Sequence, residues 1–386
     1  MRTYFDHNAT TPPDPAVIEA VARALAEDFG NASSVHHFGQ RAKALLDEAR
    51  SAVADLIGAE PAEVVFTSGG TESDNMALRG ATEAVDLTGS SPRRHIITTS
   101  IEHEAVLNTV KALAKRGWTV TLLPVDASGI VSPASLAAAI TPATAIVSVM
   151  HANNEIGTIL PIADLAAIAH EHGALFHTDA VQSVAKIAVD VRTLGVDMLA
   201  LSGHKFNGPK GAGALWVRRG VRLVSTMTGG KHERNRRGGT ENVPGIAGLG
   251  AAARLARLKL ADEPARVAAL RDRLERGILA RVSGTQVNGS TQDRVPNTTN
   301  ISFDGVEAES LLIALDLEGF AVSTGSACSS GTLEPSHVLR AMGFASPRTQ
   351  NSIRFSLGAG NTEAQVDALL EKLPAVVSKL RTLVRR

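Results

Sequence analysis

Short apolar runs alternate with amphipathic helical stretches through the first two-thirds of this 386-residue chain, and that alternation limits its fold more than any other feature. Val64–Thr67, His95–Thr99, Thr119–Leu123, Ala145–Met150, Ala174–Thr178 and Met198–Leu201 read as strands, with helices such as Gln40–Ile57, Ala105–Arg116 and Ile162–His172 between several of them. Strands separated by helices join through right-handed βαβ crossovers, which predicts an α/β fold with a mostly parallel sheet covered on both faces. Gly213–Val217 follows a Gly-Pro-Lys-Gly turn and is expected to pair with its predecessor as a seventh strand. After Gly250 the texture changes. Ala251–Arg281 is rich in Ala, Leu, Arg and Glu and reads as one or two long helices, followed by Asn300–Phe303, Glu309–Leu317, Ser352–Ser356 and Thr362–Val384 as strand, helix, strand and helix. The expected organisation is a large domain over 15–255 and a smaller α+β domain formed by 1–14 and 256–386, the latter carrying a loop at about 321–335.

Composition removes several function classes. Hydrophobic residues make up 44% and aromatics only 3%, so the core must rest on Ala, Val, Leu and Ile. Lys plus Arg equals Asp plus Glu at 39 each, which argues against nucleic-acid or anionic-membrane partners that need a basic surplus. The N-terminal residues lack the apolar stretch of a signal peptide. The uncharged stretch Ala127–Asn154 is broken by Gly129, Pro133 and Pro142 and makes a poor membrane span. A cytoplasmic location is the expectation. A single cysteine, Cys328, excludes an intramolecular disulfide and any cysteine-rich metal site, so no metal is expected.

Ligands of an open parallel sheet bind beyond the carboxyl ends of its strands, and four strand ends here carry polar clusters. Ser68-Gly-Gly-Thr-Glu-Ser73 opens a helix and offers backbone N–H groups and the Thr71 hydroxyl as a phosphate seat. It has neither the Gly-x-Gly-x-x-Gly spacing of a dinucleotide site nor the lysine of a nucleotide-triphosphate loop. His151-Ala-Asn-Asn-Glu155, Asp179-Ala-Val-Gln182 and Ser202-Gly-His-Lys205 end three other strands. Alone, each has a bland alternative: an N-cap turn, a capping aspartate, a solvated lysine. Together they supply a phosphate seat, a carboxylate and a lysine among glycines, the parts needed to hold pyridoxal 5'-phosphate. Cys328 lies in Ser323-Thr-Gly-Ser-Ala-Cys-Ser-Ser-Gly331, where small polar flanks suit an exposed thiol in a flexible loop and not a packed one.

These motifs, with Tyr4–Thr11, Phe29–His36, Glu102-His103, Arg236–Asn242, Glu334–His337 and Ser352–Leu357, resemble the cysteine desulfurases of the NifS/IscS kind, a class V branch of the fold-type I pyridoxal-phosphate enzymes. The resemblance spans nearly the whole chain, though Ala32 stands where the family commonly has Pro. It implies a homodimer that converts L-cysteine to L-alanine, leaves the sulfur as a persulfide on Cys328, and passes it to an acceptor such as an iron–sulfur scaffold. Lys205 would hold the cofactor and move the substrate's α-proton, the rival Lys210 sitting in turn chemistry. Asp179 would face the pyridinium nitrogen, whose charge is expected to lower the carboxyl's pKa. Gln182 and Asn154 would lie near the phenolic oxygen, with Asn154 also reaching the substrate carboxylate. His103 would stack on the ring and shuttle a proton. Gly70, Thr71, Ser202 and His204 would hold the phosphate, helped by Thr240 from the partner subunit. Arg354 would grip the substrate carboxylate as a fork, the bland alternative being a surface salt bridge. Two other readings compete: a different class V aminotransferase or lyase, which would not need Cys328, and a thiol sensor built on an inactive fold, which would have disrupted cofactor residues.

Overall fold

The computed structural model describes residues 2–88, 93–325 and 335–384, so Cys328 and most of its serine-rich loop lie outside the described residues. Among the described residues twelve strands are formed: β1 Thr3–Tyr4, β2 Val64–Thr67, β3 His95–Thr99, β4 Thr119–Leu123, β5 Thr144–Ser148, β6 Leu175–Asp179, β7 Met198–Ser202, β8 Gly213–Val217, β9 Thr285–Asn288, β10 Thr298–Phe303, β11 Phe320–Ala321 and β12 Ser352–Ser356. Seven of them make the main sheet in the order β2-β8-β7-β6-β5-β3-β4. It is parallel except at β8, which runs antiparallel to both β2 and β7. The expected seven-stranded, mostly parallel α/β sheet is therefore observed, and β8 pairs with its predecessor as the turn before it implied.

Strands β2, β3, β5, β7 and β8 are buried at every residue, as a sheet covered on both faces requires. Neighbouring residues divide between the two faces with the period of a strand. Phe66, Ile97, Val147, Leu199 and Trp216 join one apolar cluster with the helices His37–Leu56 and Val243–Lys259. Val65, Ile96, Ile146, Met198 and Leu215 join another with the helices Gly70–Asp86 and Glu104–Ala114. On the first face two helices approach closely because Gly250 has no side chain: a Cβ there would lie 2.6 Å from Cα of Ala49.

The region read as one or two helices is two, Val243–Lys259 and Glu263–Arg281, with Pro264 in the first turn of the second. The second packs with Ala308–Leu317, Glu363–Val384 and the antiparallel sheet β12-β10-β9 around a separate apolar cluster that also contains Phe5. The strand β9 was not foreseen, because Thr-Gln-Val-Asn carries one apolar residue and no alternation. Residues 3–8 return to this part of the chain: β1 pairs in parallel with β11, and Asp6 bridges to Ser356. No helix among the described residues is long and apolar enough to cross a membrane.

Candidate active site

The turn after β2 enters the helix Gly70–Asp86 through Gly69, whose φ of 153° suits glycine and whose cap makes no side-chain hydrogen bond. The first N–H groups of this helix are thus left for a ligand. The floor beside them is close: a Cβ on Gly70 would lie 2.8 Å from Cγ2 of Val181, and one on Gly69 would lie 3.4 Å from Oγ of Ser202. Gly70 and Ser202 are therefore neighbours across the strand ends. Thr71 is exposed in the same first turn. His204 is half-buried; its Nδ1 meets Oγ1 of Thr10 at 3.1 Å, and burial, with Lys205 and Lys210 nearby, lowers its pKa to about 4.

Lys205 closes a single 3₁₀ turn after β7, and its Nζ donates to the carbonyls of Asn8 at 2.6 Å and Ala9 at 3.0 Å. Burial and Arg354 bring its pKa down to about 8, against the pull of Asp179 and Asp6. Its rival Lys210 is exposed in the turn before β8. Asp179 ends β6 with Oδ1 accepting from the N–H of Val181 at 2.9 Å. Burial raises its pKa, outweighing the opposing pull of His103 and Lys205. Two further buried carboxyls lie behind it, and burial raises both: Asp74, well above the usual range, and Glu102, to about 8.

His103 caps the helix Glu104–Ala114, its Nδ1 accepting from the N–H of Ala105 at 3.1 Å. That bond places the proton of the neutral ring on Nε2, the nitrogen left for a ligand. Asn154 gives its backbone carbonyl to Asn8 and Arg354, while its side-chain amide makes no hydrogen bond to a described residue. Gln182 is buried, with Nε2 on the carbonyl of Asn8 at 3.1 Å and Oε1 on Lys186. Thr240 is exposed. Its segment is fixed by Glu233, which forks onto the buried Arg50 at 2.7 and 2.8 Å and accepts from the N–H of Phe66, and by Arg237 on Glu72.

Arg354 is not a surface residue. It is 4% exposed in the middle of β12, with Nη2 on Asp6 at 2.6 Å, Nη1 on the Asn154 carbonyl at 2.9 Å, and Nε buried without a partner among the described residues. The backbone of Arg354 bridges to Ser323, on the N-terminal flank of the Cys328 segment. On the other flank Ser336 donates to Glu155 at 2.5 Å and His337 meets the Glu102 carbonyl at 2.9 Å. A Cβ on Gly325 would lie 3.3 Å from Cγ of Glu155, so both flanks meet at this buried residue.

The sequence reading missed Asn8, Asp6, Lys186 and Glu155 as members of this site. Asn8 is 1% exposed and binds Lys205, Gln182, Lys186, Asn154, Asn297, Thr298 and Ser356. A polar segment, Asp6-His-Asn-Ala-Thr-Thr11, ahead of the first helix was the available signal.

Residues 3–369 match the model of the family described as aminotransferase class-V. A cysteine desulfurase of Gluconacetobacter diazotrophicus is 50% identical over 382 residues, covering 98% of this chain and 94% of the relative. The chain belongs to the aminotransferase class-V family, among its cysteine desulfurases. A cysteine desulfurase IscS of Dictyoglomus turgidum is 49% identical over 380 residues, covering 98% of this chain and 95% of that one. The solved structure of a NifS-like protein superposes with a TM-score of 0.92 at 38% identity, covering 98% of this chain and all of the other. The fold-type I α/β architecture expected from the family resemblance is thus the architecture of this desulfurase branch.

Proposed function

We propose that this desulfurase converts L-cysteine to L-alanine with pyridoxal 5'-phosphate held on Lys205, and that Cys328 receives the sulfur. The observation that carries the reading is that Asp179 ends β6 and Lys205 follows the adjacent β7 at the sheet edge where the uncapped helix Gly70–Asp86 begins, while Asn8 links Lys205 to Arg354: its carbonyl accepts from the lysine, and its amide shares the Asn154 carbonyl with the guanidinium. These residues fit the cofactor. Gly70, Thr71, Ser202 and His204 would take the phosphate, where Val181 leaves no space for a Cβ on Gly70. Asp179 would take the ring nitrogen, and that cation would restore the low pKa its burial opposes. When bound, the cofactor supplies an electron sink for the bonds of the amino acid's α-carbon.

The chain's own residues do the rest. Arg354 would bind the substrate carboxylate with its guanidinium, aided by the Asn154 amide. Lys205, its pKa lowered to about 8 by burial, takes and returns the α-proton. His103 holds its exchangeable proton on Nε2. The Cys328 thiolate then forms a bond to the substrate sulfur as the substrate's C–S bond breaks; the electron pair stays with the carbon, which is protonated to the methyl group of alanine. The persulfide passes to an acceptor protein such as an iron–sulfur scaffold. The chain is proposed to work as a cytoplasmic homodimer, and the organisation into a large domain over 15–255 and a small one over 1–14 and 256–386 would set Cys328 and Arg354 on the small domain.

Borohydride treatment of the cofactor-loaded protein followed by peptide mapping should find the label on Lys205. A label on Lys210 would overturn the assignment. For the shared site, a Thr240→Ala chain mixed with a Lys205→Ala chain should regain activity that neither homodimer has in full, because one of the two sites in the heterodimer is then intact. Verified heterodimers with no recovery would rule out the contribution of Thr240 across the interface.

A further inference from the structure

Lys186 has no role in the reaction described above, yet it sits within the site's hydrogen-bond framework. Its Nζ donates to Oδ1 of Asn8 at 2.8 Å and to Oε1 of Gln182 at 2.5 Å. The directions of these bonds follow from acceptor-only carbonyls on the far side of each amide. Nδ2 of Asn8 faces the backbone carbonyl of Asn154, so its Oδ1 must be the atom turned to Lys186. Nε2 of Gln182 faces the backbone carbonyl of Asn8, which likewise leaves its Oε1 for Lys186. That same Asn8 carbonyl accepts from Lys205.

The backbone is bent to place this amine. Ala185 adopts a φ of 65°, a region that residues with a Cβ seldom occupy, and Val184 bridges to Ile187 around it. Lys186 lines a cavity with Lys205 and His7. No carboxylate forms an ion pair with it among the described residues. Burial holds its amine well below the usual lysine range, and the cations of Lys205 and Arg354 lower it further. A lysine kept in such surroundings is an unfavourable choice for packing alone.

We propose that Lys186 is a positioning residue: by occupying Oε1 of Gln182 it leaves that side chain only an N–H donor to offer the active site. The inference rests on the reading of Gln182 as the group beside the cofactor's phenolic oxygen, an acceptor that needs a donor. If Gln182 turned its Oε1 inward, it would set two acceptors against each other.

The test is the pH midpoint of the cofactor's visible absorbance, together with cofactor affinity measured on the cofactor-free protein. A donor to the ionised oxygen keeps its pKa low, so losing the donor moves the midpoint up. Lys186→Met should raise the midpoint by about one pH unit and weaken cofactor binding about tenfold, the effect of one hydrogen bond. Gln182→Ala should give the same shift, and the double variant no more than either single one, because Lys186 acts through Gln182. Lys186→Arg, which keeps the donors, should stay at the wild-type midpoint, and it still reads the proposal should the methionine variant fail to fold. An unchanged midpoint in Lys186→Met, a shift in Lys186→Arg, or a second full shift added to Gln182→Ala would overturn the inference. A wild-type protein that takes up no cofactor would instead overturn the reading on which it stands.

Discussion

Cys328→Ala is expected to abolish persulfide formation and most alanine release while the cofactor site stays as it is. The described part of that site is built from β-strand ends, the helix Gly70–Asp86 and the N-terminal segment around Asn8, none of which includes the cysteine. Cofactor uptake and its absorbance should therefore match wild type. The chain has no second cysteine to substitute, and an ordinary thiol near pKa 8.5 is only a few per cent thiolate at neutral pH, so no adventitious nucleophile is at hand. Wild-type protein given cysteine without reductant should gain the mass of one sulfur atom on the peptide containing Cys328. An alanine variant that desulfurates at near the wild-type rate would remove the nucleophile and leave the class V aminotransferase or lyase reading in its place.

The second large effect is expected at Arg354. Lysine retains the charge there but not the planar fork, and Asp6 and the Asn154 carbonyl already occupy two of the guanidinium's nitrogens. Arg354→Lys should raise KM for cysteine by roughly 10- to 100-fold, matching the loss of one charge-assisted hydrogen bond of about 1.5–3 kcal/mol. The kcat should fall much less, since the carboxylate contact is made in both ground and transition states. A drop confined to kcat would place Arg354 in the chemistry and not in substrate binding. Because Asp6 loses its partner in the variant, thermal unfolding should be measured alongside; a folded variant with unchanged KM rules out the assignment.

The large sheet was legible because most of its strands are buried on both faces and are rich in Val, Ile, Leu and Ala between amphipathic helices. Their polar ends stood out for the same reason. Lys205, Asp179 and Gly70 each close an apolar run, and the structure brings them to one edge. What could not be read was the second layer. Asn8 and Lys186 sit in segments without periodicity, and their meaning comes from partners up to 348 positions away in the chain. The upward push on the Asp179 carboxyl could not be read either, because the depth of its burial is not written in the sequence. His103 shows both readings at once: its helix-capping bond is local and could be foreseen from position alone, while its place beside Asp179 could not.

The seating of residues 3–8 has a consequence for how the protein is made. Their partners are late in the chain: Gly319 and Ala321 for the backbone of Thr3 and Phe5, Arg354 for Asp6, Ser356 for His7 and Asn8, and Asn361 for Tyr4. During synthesis the main sheet can close once Val217 has emerged, and Asn8 also has earlier partners in Asn154, Gln182 and Lys186, but the contacts of residues 3–7 with Gly319, Ala321, Arg354, Ser356 and Asn361 must wait for the end of the chain. An early segment is therefore held at Asn8 by the middle of the chain and completes its docking only when the last elements are made. An N-terminal fusion that hinders that docking would leave a protein with an intact sheet and an unfinished active site.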